Sequence, residues 1–261
     1  MSLHGRTALV TGSTQGIGLA IAESLARAGA QVVLHGIEPA AQGAEVAAQL
    51  QAATGARCTY VSANLMDEAQ AAGLVAQAEA LLAPIDIMVN NAGIQFTCPV
   101  AEFPAERWNA ILAVNLSACF HTMKAAIPGM RQRRWGRLIN IASVHGLVAS
   151  LNKGAYLAAK HGLVGLNKGV ALETATDGIT ANCICPGWTD TALIQPQIEA
   201  RAAAVGGDRE AGIRELLREK QPNLTLLPPS ALGEVAVFLC SPAAAGITGV
   251  ALPVDGGWTA Q

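Results

Sequence analysis

Charge is scarce in this sequence and evenly divided. Asp, Glu, Lys and Arg make up 14% of 261 residues and leave a formal net charge of −2. The densest cationic stretch, Arg131 to Arg137, is interrupted by Trp135 and Gly136. With no basic stripe or charged tail, nucleic acid is not expected as a partner. Aromatic residues are few, at 4%, yet hydrophobic residues reach 51%, enough for the core of one large α/β domain. The six cysteines show no paired metal-ligand spacing, so no metal site is expected and reduced, buried thiols are. Cys183 and Cys185 are expected to point to opposite faces of one strand. No charged-then-apolar leader precedes "TALVTG", and no apolar run is expected to span a bilayer. A cytoplasmic protein without membrane contact is the resulting expectation.

What is present is a rhythm. Short runs rich in Val, Ile and Leu recur as "TALVTG", "QVVLHG", "CTYVSAN", "IDIMVNNAG", "GRLINIAS", "ITANCICPG" and "VALPVDGG". Between them lie Ala-rich stretches with helical length and periodicity, at Gly16 to Ala28, Pro39 to Ala53, Asp67 to Leu82 and Pro104 to Arg131. This alternation predicts a Rossmann-type, doubly wound parallel sheet of seven strands, one domain over residues 1–261. One region, about 188–229, breaks the rhythm with a polar, helix-prone insertion directly after a strand. It would overhang the crevice where such sheets bind ligands, and reads as a substrate lid.

The first strand leads into "TGSTQGIG", which sets Gly12, Gly16 and Gly18 between strand and helix. Glycines there permit a tight turn and the approach of a pyrophosphate to the helix N-terminus, where free amides and the dipole favour an anion. With "NNAG" at Asn90 to Gly93, Asn115, Ser143, Tyr156 and Lys160, "PG" at Pro186 and Gly187, and the terminal "VDGG", the chain resembles the short-chain dehydrogenase/reductase family along essentially its whole length. The resemblance implies a nicotinamide cofactor held by Gly12, Thr14, Gly16, Ile17, Gly18, Gly36, Asn64, Leu65, Asn91, Ala92, Gly93, Pro186, Gly187 and Thr189, together with Tyr156 and Lys160. It also implies that Asn90 ties neighbouring strands together. NAD is expected over NADP because no Arg or Lys lies in "GSTQG" or "VVLHGIE" to meet a 2′-phosphate. The acid usual in NAD enzymes is replaced by Gly36, with Glu38 two positions on. The usual Asp before Leu65 is Asn64, whose amide oxygen could accept from the adenine amino group.

Tyr156 and Lys160 are four apart and share one helix face. A free phenol titrates near 10 and is a poor base at neutral pH, but a nearby ammonium and a cationic nicotinamide both favour phenolate. The resemblance makes Tyr156 the general acid/base, with Lys160 on the nicotinamide ribose, Ser143 on the reacting oxygen and Asn115 fixing a relay water. The stretches "NNAGIQ", "ASVHGLVASLNKGAYLAAKHG" and "CPGWTDTALIQPQI" further resemble members of the family that oxidise short 3-hydroxy carboxylates. In them, positions matching Gln95, His145, Lys153 and Gln197 grip the carboxylate, while Trp188 and Trp258 would bound the methyl end. The implied reaction is reversible NAD-linked oxidation of (R)-3-hydroxybutyrate to acetoacetate by a homotetramer. Reduction of a 3-oxoacyl thioester or another short-chain alcohol or ketone, and a non-catalytic NAD-binding scaffold, are the competing readings.

Overall fold

Seven aliphatic runs pair as one parallel sheet in the computed structural model, which describes residues 2–260. In chain order the elements are β1 (Thr7–Val10), α1 (Gly16–Arg27), β2 (Gln31–Gly36), α2 (Ala40–Thr54), β3 (Cys58–Ser62), α3 (Glu68–Leu81) and β4 (Ile87–Asn90). They continue through α4 (Ala105–Leu112), α5 (Ala118–Arg133), β5 (Gly136–Ile141), α6 (Gly154–Thr174) and β6 (Ile179–Pro186) to α7 (Gln195–Ala204), α8 (Arg209–Lys220), α9 (Pro229–Leu239) and β7 (Ala251–Val254). The strand order is β3-β2-β1-β4-β5-β6-β7. Chain direction across the sheet therefore reverses between β1 and β4, and a crevice opens past their carboxyl ends.

Both faces of the sheet are buried along the five inner strands, which therefore read as continuous apolar runs, while the edge strands β3 and β7 are only half-buried. Leu9, Val33, Met88 and Leu138 face α3, α5 and α6, while Ala8, Val10, Val32, Leu34 and Ile139 face α1 and α9. Cys183 and Cys185 lie on the same face, with Ile184 on the other. This corrects the expectation of opposite faces, because strand side chains alternate with a period of two. All six cysteines are free thiols.

The predicted helix at Pro104 to Arg131 is broken in register. A π-helical turn, Ala113–Ser117, joins α4 to α5 and carries Asn115. The continuous helix Ala105–Arg133 has 29 residues and a mean hydropathy of 1.4 in its most apolar window. By length and composition it could cross a membrane, contrary to the expectation of no such run. It nevertheless packs α5 on α3, β4 and β5, and 44% of that window is buried. Across the sheet, Thr122 Oγ1 donates to Asn90 Oδ1 (2.6 Å), Asn90 Nδ2 to Asn140 Oδ1 (2.8 Å) and Asn140 Nδ2 to Asn167 Oδ1 (3.0 Å). Asn90 thus ties β4 to β5 and α5, as the resemblance implied, and each buried amide is satisfied by its neighbour.

Between Trp188 and Pro229 the described chain adds no strand to the sheet. Helices α7 and α8 pack through their own small cluster of Ile194, Ile198 and Leu216, joined by Trp188, Ile213 and Leu226. Gln221, fully buried, anchors the far end of this segment: its Oε1 accepts from Trp188 N–H at 2.8 Å, and its Nε2 donates to the Thr225 carbonyl.

Candidate active site

The glycine turn after β1 fits a pyrophosphate. Gly12 and Gly16 have φ of +59° and +57°, the left-handed region that glycine enters without strain. A Cβ on Gly12 would fall 2.9 Å from Ala92 Cα, and one on Gly18 would collide with the Gly12 carbonyl and Asn91 Nδ2. Helix α1 begins without a side-chain cap, so its first amides remain available to an anion. The "NNAG" loop is laced to this turn. Asn91 Nδ2 donates to the carbonyls of Thr11 and Gly12, each at 2.8 Å, while Asn91 N–H and Ala92 N–H both donate to Thr11 Oγ1.

An acid from the loop after β2 closes against the glycine turn. The Glu38 carboxylate folds back over Gly36, where any side chain would displace it, and accepts from Thr14 Oγ1 at 2.8 Å. Tyr60 Oη donates to the Glu38 carbonyl at 2.8 Å and lies 3.4 Å from its Oε2. Burial opposes the charge, but these hydrogen bonds outweigh it and hold the carboxyl below its usual range. Thr14, Gln15, Glu38, Gln42 and Val46 line a small pocket there, with no cation among them. Asn64 Oδ1 accepts from Met66 N–H at 3.0 Å, and the Leu65 side chain is buried in the core. Any cofactor contact from Leu65 therefore falls to its backbone.

A cleft of about 450 Å³ brings together most of the remaining predicted residues. Gly16, Ile17, Gly18, Asn91, Gly93, Pro186, Gly187 and Thr189 line one part, and Gln95, Ser143, His145, Lys153, Tyr156, Lys160, Trp188 and Trp258 the other. Sequence reading did not single out Gln15, Ile141, Ala142, Val144, Thr191, Ala192, Leu193 and Ile194, which also line it, although Gln15 lies within "TGSTQGIG" and Thr191 to Ile194 within "CPGWTDTALIQPQI". Lys160, buried in α6, donates to the Ile141 carbonyl at 2.7 Å, and its Nζ sits 5.6 Å from the centroid of the Tyr156 ring. Asn115 lies outside the cleft lining. Its Oδ1 accepts from Ile94 N–H and its Nδ2 donates to the Ile94 carbonyl, both at 2.9 Å, so the side chain holds the loop after β4.

Ser143 begins a short 3₁₀ turn, and its Oγ accepts from His145 N–H at 3.1 Å and lies 3.3 Å from His145 Nδ1. His145 Nε2 is 3.0 Å from Ser150 Oγ, a partner that sequence reading did not single out. Burial, then the charge of Lys153, pushes the His145 pKa down to about 3, so the ring is neutral. Both ring nitrogens face hydroxyls, and a carboxylate reaches Nε2 only if Ser150 turns away. Lys153 is half-buried, with its Nζ 5.3 Å from the Trp188 ring and 6.0 Å from the Tyr156 ring. No acid pairs with it among the described residues, and burial lowers its pKa. Trp258 is buried, 5.5 Å from His145 and 5.6 Å from Trp188 between ring centroids. Gln95, on the cleft wall, meets Gln197, which lies outside the lining. With the Gln197 amide oriented to satisfy its neighbours, its Oε1 accepts from Gln95 Nε2 at 2.9 Å, tying the loop after β4 to α7.

The family model described as short chain dehydrogenase matches residues 6–202. The chain is 51% identical to D-beta-hydroxybutyrate dehydrogenase of Cupriavidus necator over 260 residues, covering 99% of this chain and 100% of that protein. It is 44% identical to the protein of the same name from Rhizobium meliloti over 256 residues, 98% of this chain and 99% of that one. Among solved structures, L-sorbose reductase from Gluconobacter frateurii, complexed with NADPH and L-sorbose, superposes with a TM-score of 0.94 at 30% identity, covering 100% of this chain and 99% of that chain.

Proposed function

The chain belongs to the short-chain dehydrogenase family, and from that premise we propose that it catalyses the reversible, NAD-linked oxidation of (R)-3-hydroxybutyrate to acetoacetate. The observation that carries the substrate is the Lys153 ammonium, half-buried and without an acidic partner among the described residues, on the wall of the cleft that holds Ser143 and Tyr156. A cation left in this state fits a carboxylate anion. Trp188 and Trp258 close the cleft beside it, which suits a four-carbon acid better than an extended thioester. The two relatives named above act, by their names, on D-beta-hydroxybutyrate.

The residues divide the chemistry. A nicotinamide cofactor, once bound, would supply the acceptor for hydride leaving the carbon that bears the hydroxyl. Tyr156, as phenolate, removes the hydroxyl proton in oxidation and returns it in reduction. Lys160, whose Nζ donates to the Ile141 carbonyl and sits 5.6 Å from the Tyr156 ring centroid, would hold the nicotinamide ribose. Ser143 accepts from the His145 backbone and keeps one hydroxyl proton to donate to the reacting oxygen. That proton is free when His145 carries hydrogen on Nδ1 and Ser150 donates to Nε2. Lys153, with Gln95 and Gln197 released from each other, would bind the carboxylate and fix the face presented to hydride.

NAD in place of NADP rests on Glu38. Its carboxylate in the small pocket at Thr14 would accept from a ribose hydroxyl and repel a 2′-phosphate. A homotetramer in the cytoplasm belongs to the same reading, with exposed Phe120 on α5 and Leu172 on α6 available to neighbouring subunits. One initial-rate screen tests the whole: (R)- and (S)-3-hydroxybutyrate, with NAD and with NADP, beside acetoacetate and a 3-oxoacyl thioester with NADH and with NADPH. The (R)-acid with NAD should lead, and a preference for the thioester would replace this reading with its nearest rival.

A further inference from the structure

We propose that His35 is a positioning residue for the cofactor: its imidazole staples the glycine turn after β1 to the loop after β3, fixing the two segments that flank the adenosine half of the cleft. This rests on the nicotinamide-cofactor reading above. The geometry is complete around the ring. His35 Nδ1 receives Gly12 N–H at 3.1 Å, and Nε2 faces the Ala63 carbonyl at 3.1 Å. A backbone N–H only donates and a carbonyl only accepts, so Nδ1 must be bare and Nε2 must carry the proton. The main chain of the same residue is held by Ser13, whose N–H donates to the His35 carbonyl at 2.9 Å and whose Oγ accepts from His35 N–H at 3.0 Å.

The topology explains why a side chain is needed. Strand β2 lies between β1 and β3, and the β1–β2 ladder ends at the pair Val10↔Leu34. Gly12 N–H therefore lies past the ladder, and the ring provides the acceptor that strand pairing no longer can. On the other side, Ala63 immediately precedes Asn64. The imidazole is 1% exposed and burial lowers its pKa to about 4, so it is neutral when it makes both bonds. A histidine that merely filled space would leave two buried polar atoms needing other partners, whereas these two reach opposite loops.

The test compares wild type with His35→Asn, whose amide oxygen reaches the Gly12 side only, His35→Gln, whose amide nitrogen reaches the Ala63 side only, and His35→Leu, which reaches neither. Calorimetric titration of the cofactor-free protein should show the NAD Kd of His35→Leu raised roughly tenfold, the scale of one buried hydrogen bond, with smaller rises for the two amides. Turnover at saturating NAD should stay within about twofold, since the reacting end is untouched. Nitrogen-15 NMR of cofactor-free wild type should show a protonated Nε2 and a bare Nδ1. A protonated Nδ1, or folded variants whose NAD Kd is unchanged, overturns the proposal; if His35→Leu does not fold, the two amide variants decide it. Wild type that binds neither NAD nor NADP overturns the cofactor reading itself, a result distinct from tight binding indifferent to His35.

Discussion

Replacing Lys153 by Met tests the substrate assignment most directly, because it keeps the length and apolar stem of the side chain and removes only the charge. In the structure the ammonium lies within 6.0 Å of the Tyr156 and Trp188 ring centroids and has no acidic partner among the described residues. A carboxylate placed there would lose the ammonium beside Trp188 and face aromatic walls, with the other lining ammonium, Lys160, engaged by the Ile141 carbonyl. Leaving a buried charge without its partner costs about 2–5 kcal/mol. Since Lys153 is half-buried in the uncomplexed cleft, water screens part of the loss and the lower end applies, about 2 kcal/mol or roughly 30-fold in kcat/KM. Ground state and transition state both carry the carboxylate, so the loss should fall mainly on KM. The assay is an initial-rate series with (R)-3-hydroxybutyrate at saturating NAD, run beside 2-butanol, which has the carbinol and no carboxylate. Efficiency toward the acid should fall and the small rate with the alcohol should hold. A loss below about threefold for the acid, or an equal loss for both substrates, refutes the carboxylate grip.

Tyr156→Phe should nearly abolish turnover while calorimetry shows NAD binding intact, since only the proton acceptor is removed. Glu38→Ala should narrow the ratio of NAD to NADP efficiency by about tenfold, mainly by admitting NADP; an unchanged ratio would remove Glu38 from cofactor choice. Unfolding free energy should also depend on pH. His35 and His145 are neutral in the fold, with pKa values lowered from 6.5 to about 4 and about 3 by burial, partly offset at His35 by Glu38 and reinforced at His145 by Lys153. The unfolded chain then binds protons first. Their stabilisation is whole above pH 6.5 and is lost as pH falls toward their folded values, at up to about 1.4 kcal/mol per pH unit for each. Urea denaturation from about pH 7 to about pH 5 measures it, and a flat profile would contradict two buried neutral imidazoles.

Much of the fold is legible because its determinants are local. The aliphatic runs mark buried strands, and Asp67, which accepts from Ala69 and Gln70 amides, caps α3 where a Ser, Thr, Asp or Asn is expected to start a helix. Tyr156 and Lys160 share a helix face by spacing alone, and Gly12 and Gly18 are forced by the turn they make. The π-turn at Asn115 was not legible: a five-residue backbone change leaves the apolar pattern of α4 and α5 nearly unaltered.

The residues that the sequence placed by spacing are those whose partners lie within a few positions along the chain, where backbone geometry alone sets the distance. Glu38 against Thr14, His35 between Gly12 and Ala63, Gln95 against Gln197 and Lys153 beside Trp188 depend on contacts spanning from about twenty to about a hundred positions. These were decided only by the strand order and the return of the segment after β6 over the cleft. Local sequence thus determined the scaffold and the Tyr156–Lys160 pair, and tertiary packing decided which charged and polar groups line the cleft with them, because loop ends come together only once the sheet is assembled.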